Sequence, residues 1–180
     1  MINCSPNIQL QLSEAVTLIA NTDFPSNWSN LLPDLISLLS LENLNVNIGV
    51  LQTAHSIFKR WRSQFENNEL FTEINYVMAT FAPAYLQFFI AIDQLILTDQ
   101  NPLLLDILLL LVKIFASLVC QDLPEFVEDN LLNFMGFFKN YLAWPTGGDS
   151  DDEPGVVQKV KSCICEIIDL FARKVGNYIL

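Results

Sequence analysis

The chain has 180 residues, 20 acidic against 9 basic side chains, a formal net charge of −11 and a hydrophobic fraction of 52%. That length and apolar content suit one domain or one compact array with a large core, and the acidic balance argues against nucleic acid, whose phosphates demand a basic footprint. Four irregularly spaced cysteines, Cys4, Cys120, Cys163 and Cys165, with a single histidine, argue against a disulfide framework, supply no metal-ligand pattern and imply no cofactor.

Ser5-Pro6 opens a first helix running to about Ala20, with serine as cap and proline tolerated in the first turn. Its apolar residues are Ile8, Leu12, Ala15, Val16 and Ile19. Nothing over Met1 to Leu10 reads as a signal peptide, so the Asn27-Trp28-Ser29 sequon is incidental. Asp23-Phe24-Pro25 opens a second helix through Trp28, Leu31, Leu32, Leu35, Ile36 and Leu39, which Pro33 should kink or delay because proline removes a backbone donor and clashes with the preceding turn.

The stretch from Leu44 to Phe65 predicts a long amphipathic helix. At about 100° per residue, Leu44, Val50, Leu51, Ala54, Ile57, Phe58, Trp61 and Phe65 share one side, while Gln52, Thr53, Ser56, Lys59, Arg60 and Ser63 share the other. His55 and Arg62 lie at the seam. No Ser, Cys or acid accompanies His55 in a recognisable catalytic motif, so it is expected to be a hydrogen-bonded structural histidine. Lys59, Arg60 and Arg62 make a cationic cluster in an acidic chain. After the polar break Glu66 to Glu69, apolar residues resume at Leu70, Phe71, Ile74 and Val77, and a segment to about Leu97 is one bent helix or two around Pro83.

Asn101-Pro102 restarts the pattern. The apolar run Leu103 to Val119 is at the short limit for crossing a bilayer of roughly 30 Å and holds Asp106 and Lys113, costly charges there, so it reads as a buried core helix. Gln121-Asp122-Leu123-Pro124 opens a helix through Phe126, Val127, Leu131, Phe134, Met135, Phe138 and Leu142, which Trp144-Pro145 ends. The loop Thr146 to Gly155 carries Asp149, Asp151, Asp152 and Glu153. It lacks the spaced ligands of a calcium loop and is either solvated or an acidic docking element. A last helix follows from Val156 through Val160, Ile164, Ile167, Ile168, Phe171 and Val175.

Apolar residues recur at three and four rather than two, so the chain is predicted to be all-α, without strands. Asp23-Phe24-Pro25 and Asp122-Leu123-Pro124 each open a helix that soon reaches Asn-Leu-Leu, and the openings are 99 residues apart. Two helical hairpins of about 50 residues fit between them, slightly longer than the roughly 40–47 of HEAT and armadillo repeats. A HEAT-repeat α-solenoid is therefore expected, right-handed, with about three hairpins after a leading half repeat. Its parts are an unpaired helix 1–20 and repeats over 23–65, 69–120 and 122–178, the last containing the acidic loop 146–155.

The run NIGVLQTAHSIFKRWR (Asn47 to Arg62) with NELFTEI (Asn68 to Ile74) resembles the signature segment of the importin-α re-exporter, or exportin-2, family. Asp23-Phe24-Pro25 with Trp28 is similar to a helix-opening motif of importin-β-like receptors, QDLPEFVEDN (Gln121 to Asn130) is similar to another exportin-2 segment, and the acidic loop has a counterpart in the family. The resemblance covers nearly the whole chain, but only a small part of a much longer receptor. It implies a non-catalytic segment that helps bind Ran-GTP and importin-α, shuttling between nucleus and cytoplasm. It also implies that the helices starting near Ser5, Leu44, Pro102 and Val156 are inner, and those opened at Pro25, Glu69 and Pro124 outer.

Solenoids form extended binding surfaces on the inner side, so Gln52, Ser56, Lys59, Arg60 and Arg62 are the expected partner-binding residues. Because flanking repeats are missing, Ile8, Leu12, Ile168 and Phe171 should be partly uncovered, or covered by self-association. The competing expectations are an unrelated helical-repeat adaptor and a helical bundle binding a lipid or small molecule in the aromatic Glu69 to Leu97 segment.

Overall fold

The computed structural model describes residues 6–99, 101–145 and 155–179. Among them every regular element is helical, and most helix starts are set by local chemistry. Helix α1 spans Pro6–Asp23. The chain then turns through Phe24 to Asn30, so Asp23-Phe24-Pro25 precedes α2 (Leu31–Ser37) by a turn and does not open it directly. Pro33 lies in the first turn of α2, where its missing N–H has no helical partner to lose. Helix α3 runs Leu44–Phe58, capped by Asn43 Oδ1, which accepts from Val46 N at 3.3 Å.

Helix α4 (Asn68–Thr80) is capped in the same way by Asn67, which accepts from Leu70 N at 2.8 Å. Pro83 sits in the first turn of α5 (Ala82–Ile96), and the two axes bend by 52°. The aromatic segment is thus two helices. Asn101 accepts from Leu103 N at 3.0 Å and Pro102 takes the first position of α6 (Pro102–Leu118). The expected single helix after Pro124 is instead a short α7 (Glu125–Asp129) and a longer α8 (Leu131–Leu142). Helix α9 covers Val156–Ile179.

Helices α1, α3, α6 and α9 lie side by side in one row, with α3 against both α1 and α6, and α6 against both α3 and α9. These are the helices expected to be inner. The others form a second row over them. The result is a segment of HEAT-repeat solenoid, with one core sandwiched between the rows. From α3 it takes Leu51, Ala54, Ile57 and Phe58, followed by Trp61; from α6, Ile107, Leu111, Ile114 and Phe115; from α9, Val160, Ile164 and Ile167. Each Val, Leu, Ile or Phe among them stabilises the fold by about 1.5–3 kcal/mol when fully buried.

Aromatic rings carry the core from hairpin to hairpin. Phe81 meets Phe58 at 5.3 Å and Tyr85 at 5.8 Å between centroids, while Phe89 meets Phe137 of α8 at 5.1 Å. Phe115 packs on Phe134, Phe138 and Phe171. This network occupies the segment in which a lipid or small-molecule pocket was the competing expectation: Phe81, Tyr85 and Phe89 are buried by one another and their neighbours. Helix α6, the run weighed as a membrane span, is largely buried, and no single helix among the described residues is long and apolar enough to cross a bilayer.

Phe65 departs from the expected apolar stripe. Helix α3 ends at Phe58, a 3₁₀ turn follows over Lys59–Ser63, and Phe65 beyond it is 93% exposed. Ile8, Leu12 and Ile168 are exposed and Phe171 is half-buried against Phe115, so all four are at least partly uncovered.

Candidate interaction surface

The 3₁₀ turn decides where the basic cluster points. Three residues per turn replace 3.6, so the side chains of Lys59, Arg60 and Arg62 fan out and do not share one face. Arg60 turns toward α1 and α4. Its Nη1 donates to Asn21 Oδ1 at 3.2 Å, and its Nη2 pairs with the Glu73 carboxylate, which also accepts from Trp61 Nε1 at 2.8 Å. The Arg60 and Glu73 side chains are only 15% and 13% exposed. Expected on the open polar face, Arg60 is instead a buried clamp holding the turn to its neighbours.

Arg62 points the opposite way, onto α6. Its Nε donates to Ser117 Oγ at 3.2 Å and its Nη2 to the Lys113 carbonyl at 2.9 Å. Lys59 is exposed, Gln52 and Ser56 are half-buried, and Thr53 is buried, donating to the Gly49 carbonyl at 2.8 Å. Ser56 has a contact of its own and is not a free hydroxyl. Asp149, Asp151, Asp152 and Glu153 lie outside the described residues.

The rows bring together groups that sequence spacing left apart. His55 and Arg62, Lys113 of α6, and Lys159, Ser162, Cys163 and Glu166 of α9 line a cavity of about 250 Å³. A neighbouring hollow of about 290 Å³ lies between Arg62, Cys120, Glu166, Asp169 and Arg173. Lys113 and Lys159 were missed as site residues. The signal for Lys113 was present, since it lies seven residues after Asp106 and so on the same helical stripe, but it was weighed only as a charge inside an apolar run. Nothing in the sequence placed Lys159 beside it.

The electrostatics follow from burial and from these neighbours. His55 is held down to about 4 from an ordinary 6.5, first by burial and then by the charges of Arg62, Lys113 and Lys59. Its Nδ1 is buried with no hydrogen-bond partner among the described residues, contrary to the expected hydrogen-bonded histidine. Burial and Glu166 push the Cys163 thiol up to about 11, against the opposing pull of Arg62 and Lys113. What this corner supplies is fixed positive charge around a small hollow. No group of three or more His, Cys, Asp and Glu among the described residues is placed to hold a metal ion.

One edge of the array is stitched by polar contacts between successive turns. Gln121 Nε2 donates to the Gln64 carbonyl at 3.0 Å and also to the Trp61 carbonyl, and Lys174 Nζ donates to the Val119 carbonyl at 3.0 Å. With Arg60 on Asn21, these contacts link all four helices of the first row, so the basic corner sits on a braced frame.

A family model described as Cse1 matches residues 57–179. The importin-alpha re-exporter of Schizosaccharomyces pombe is 44% identical over 178 residues, covering 95% of this chain and 18% of that protein. The Saccharomyces cerevisiae importin alpha re-exporter is 40% identical over 97% of this chain and 19% of its own length. Exportin-2 of Homo sapiens is 38% identical with the same coverage. Among solved structures, the exportin Cse1 in its cargo-free, cytoplasmic state superposes with a TM-score of 0.86 at 41% identity, over 94% of this chain and 19% of that chain. The chain therefore spans about a fifth of the length of these relatives.

Proposed function

Because the chain belongs to the Cse1 family, we propose that it is a protein-interaction segment of a nuclear export receptor, one that carries importin-α from nucleus to cytoplasm in complex with Ran-GTP. The observation that carries this reading is the match of nearly the whole chain, in sequence and in backbone, to proteins named as importin-α re-exporters and to the Cse1 exportin. The segment works by holding partners, and GTP hydrolysis on Ran releases the cargo. The receptor shuttles between the two compartments. Its units are a leading helix and hairpin repeats over 23–65, 69–120 and 122–178.

The first row of helices is the concave, partner-facing side. Lys59 and Arg62 are the charged contacts on the 3₁₀ turn that follows α3, with Gln52 and Ser56 of α3 beside them. Arg62 is the more sensitive of the two, because a planar guanidinium grips a carboxylate through two parallel hydrogen bonds where an ammonium is a point charge. Arg60 serves partner binding through the turn it clamps.

The test replaces the matching segment of the Schizosaccharomyces pombe importin-alpha re-exporter with this chain and assays capture of importin-α with Ran-GTP. Capture that depends on Ran-GTP, within about tenfold of the unmodified receptor, supports the proposal. A soluble, helical chimera that captures neither partner overturns it.

A further inference from the structure

We propose that the corner walled by His55, Arg62, Lys113 and Lys159 is a docking site for carboxylate side chains of an acidic partner helix laid across α3, α6 and α9. This deepens the reading of the first row as the partner face and rests on it. The charge distribution is the first support. Lys59, Arg62, Lys113 and Lys159 are four of the chain's nine basic residues, gathered with its only histidine in a protein of net charge −11. One carboxylate, Glu166, lines the same hollow. Like charges gathered around a concave hollow focus field and draw the opposite charge.

The shape selects the kind of anion. A hollow of about 250 Å³ lies below the roughly 300–1,000 Å³ typical of small-molecule sites, so it suits side-chain ends and not a nucleotide. Long acidic polymers such as nucleic acid are disfavoured by the net charge of the remaining surface. The cations come from the 3₁₀ turn after α3, from α6 and from α9, and packed helices lie about 8–10 Å apart. A rise of about 1.5 Å per residue puts residues i and i+7 of a crossing helix on the order of 10 Å apart. Glutamates at that spacing meet neighbouring rungs in turn. Arg62 is already fixed for this by its bonds to Ser117 Oγ and the Lys113 carbonyl, and His55 lines the same corner.

The experiment uses the 180-residue chain and two fluorescein-labelled, alanine-rich peptides of about 15 residues, long enough to populate helix. One carries glutamate at i and i+7, the other glutamine. Anisotropy titrations at low salt should show the glutamate peptide binding about tenfold tighter, a preference that Lys113→Gln with Lys159→Gln abolishes. Lys139→Gln, on the exposed side of α8, should change nothing. If the double variant fails to fold, Lys159→Gln alone, at an exposed residue, should still weaken the glutamate peptide about threefold.

Equal binding of the two peptides, an equal loss with Lys139→Gln, or displacement by inorganic phosphate at equal charge concentration would overturn the proposal. The chimera assay separates the two readings. Peptide discrimination absent while importin-α capture persists defeats the docking site alone, and discrimination present while capture is lost defeats the receptor assignment alone.

Discussion

Glu73 serves two donors at once, Arg60 Nη2 and Trp61 Nε1, and all three side chains are mostly buried. Removing the carboxylate strands a guanidinium and an indole N–H out of water, which costs more than the bonds themselves were worth. Glu73→Ala should therefore lower stability by about 3–5 kcal/mol, and Glu73→Gln by less, because the amide oxygen still accepts one bond. Urea unfolding of the three proteins checks the order. His55 makes a prediction in pH. Its folded value near 4 lies below its ordinary 6.5, so between these values the unfolded chain takes a proton that the folded chain refuses. The stabilisation is full above about pH 6.5 and is lost as pH falls through about 4. Relative to His55→Gln, wild type should lose about 2–3 kcal/mol between pH 7 and pH 4, and parallel pH profiles of the two proteins would refute this. Neither role was legible residue by residue. Counting at 100° put Arg60 on the open face, because nothing in Lys-Arg-Trp-Arg-Ser announces a 3₁₀ turn. Its cause lies thirteen residues away, in the carboxylate that collects Arg60 and Trp61.

At the level of elements, the punctuation in the sequence was mostly readable. Pro33, Pro83 and Pro102 each fall in a first turn, as the missing N–H requires, the recurrence of apolar residues named most of the buried side of α3, and the apolar run of α6 read as a buried core helix. The break between α7 and α8 was not readable. Phe126, Val127, Leu131 and Phe134 keep three- and four-residue spacing straight through it, and Asn130, whose Nδ2 donates to the Phe126 carbonyl at 2.8 Å, ends one helix without disturbing the phase. The element that ties hairpins together is α6, and its Phe115 touches rings from α8 and α9 at once. Phe115→Ala should cost about 3–5 kcal/mol through the cavity it leaves. Loss of cooperativity should accompany it, with α9 exchanging amide hydrogens before α3. An unchanged exchange order at reduced global stability would mean that the hairpins are held together elsewhere.

For the whole molecule, each repeat in a solenoid contacts only its neighbours, so its associations depend on the faces it presents. Along α1, Leu18 and Ile19 are 69% and 50% exposed, with Ile8 and Leu12 on the same helix also uncovered. Large apolar patches on soluble chains mark contact sites, and the isolated 180-residue chain is expected to self-associate at micromolar concentration by sedimentation velocity. Leu18→Glu with Ile19→Glu should return it to monomer. The all-α repeat was open to sequence reasoning because hydrophobic spacing and proline-marked openings are local signals, while the family and the row assignment came from the resemblance of the runs Asn47 to Arg62, Asn68 to Ile74 and Gln121 to Asn130. The basic corner was not, because Lys113 and Lys159 are 46 residues apart and meet only when α6 packs on α9.

Partners are proposed to cover the first row of helices. Hydrogen exchange on the chimeric receptor, alone and assembled with Ran-GTP and importin-α, tests this most directly. Protection is predicted over the second half of α3, the middle of α6 around Lys113 and the first half of α9, with α4, α7 and α8 unchanged. Protection confined to α4, α7 and α8, with the first row exchanging as it does in the free receptor, would contradict it.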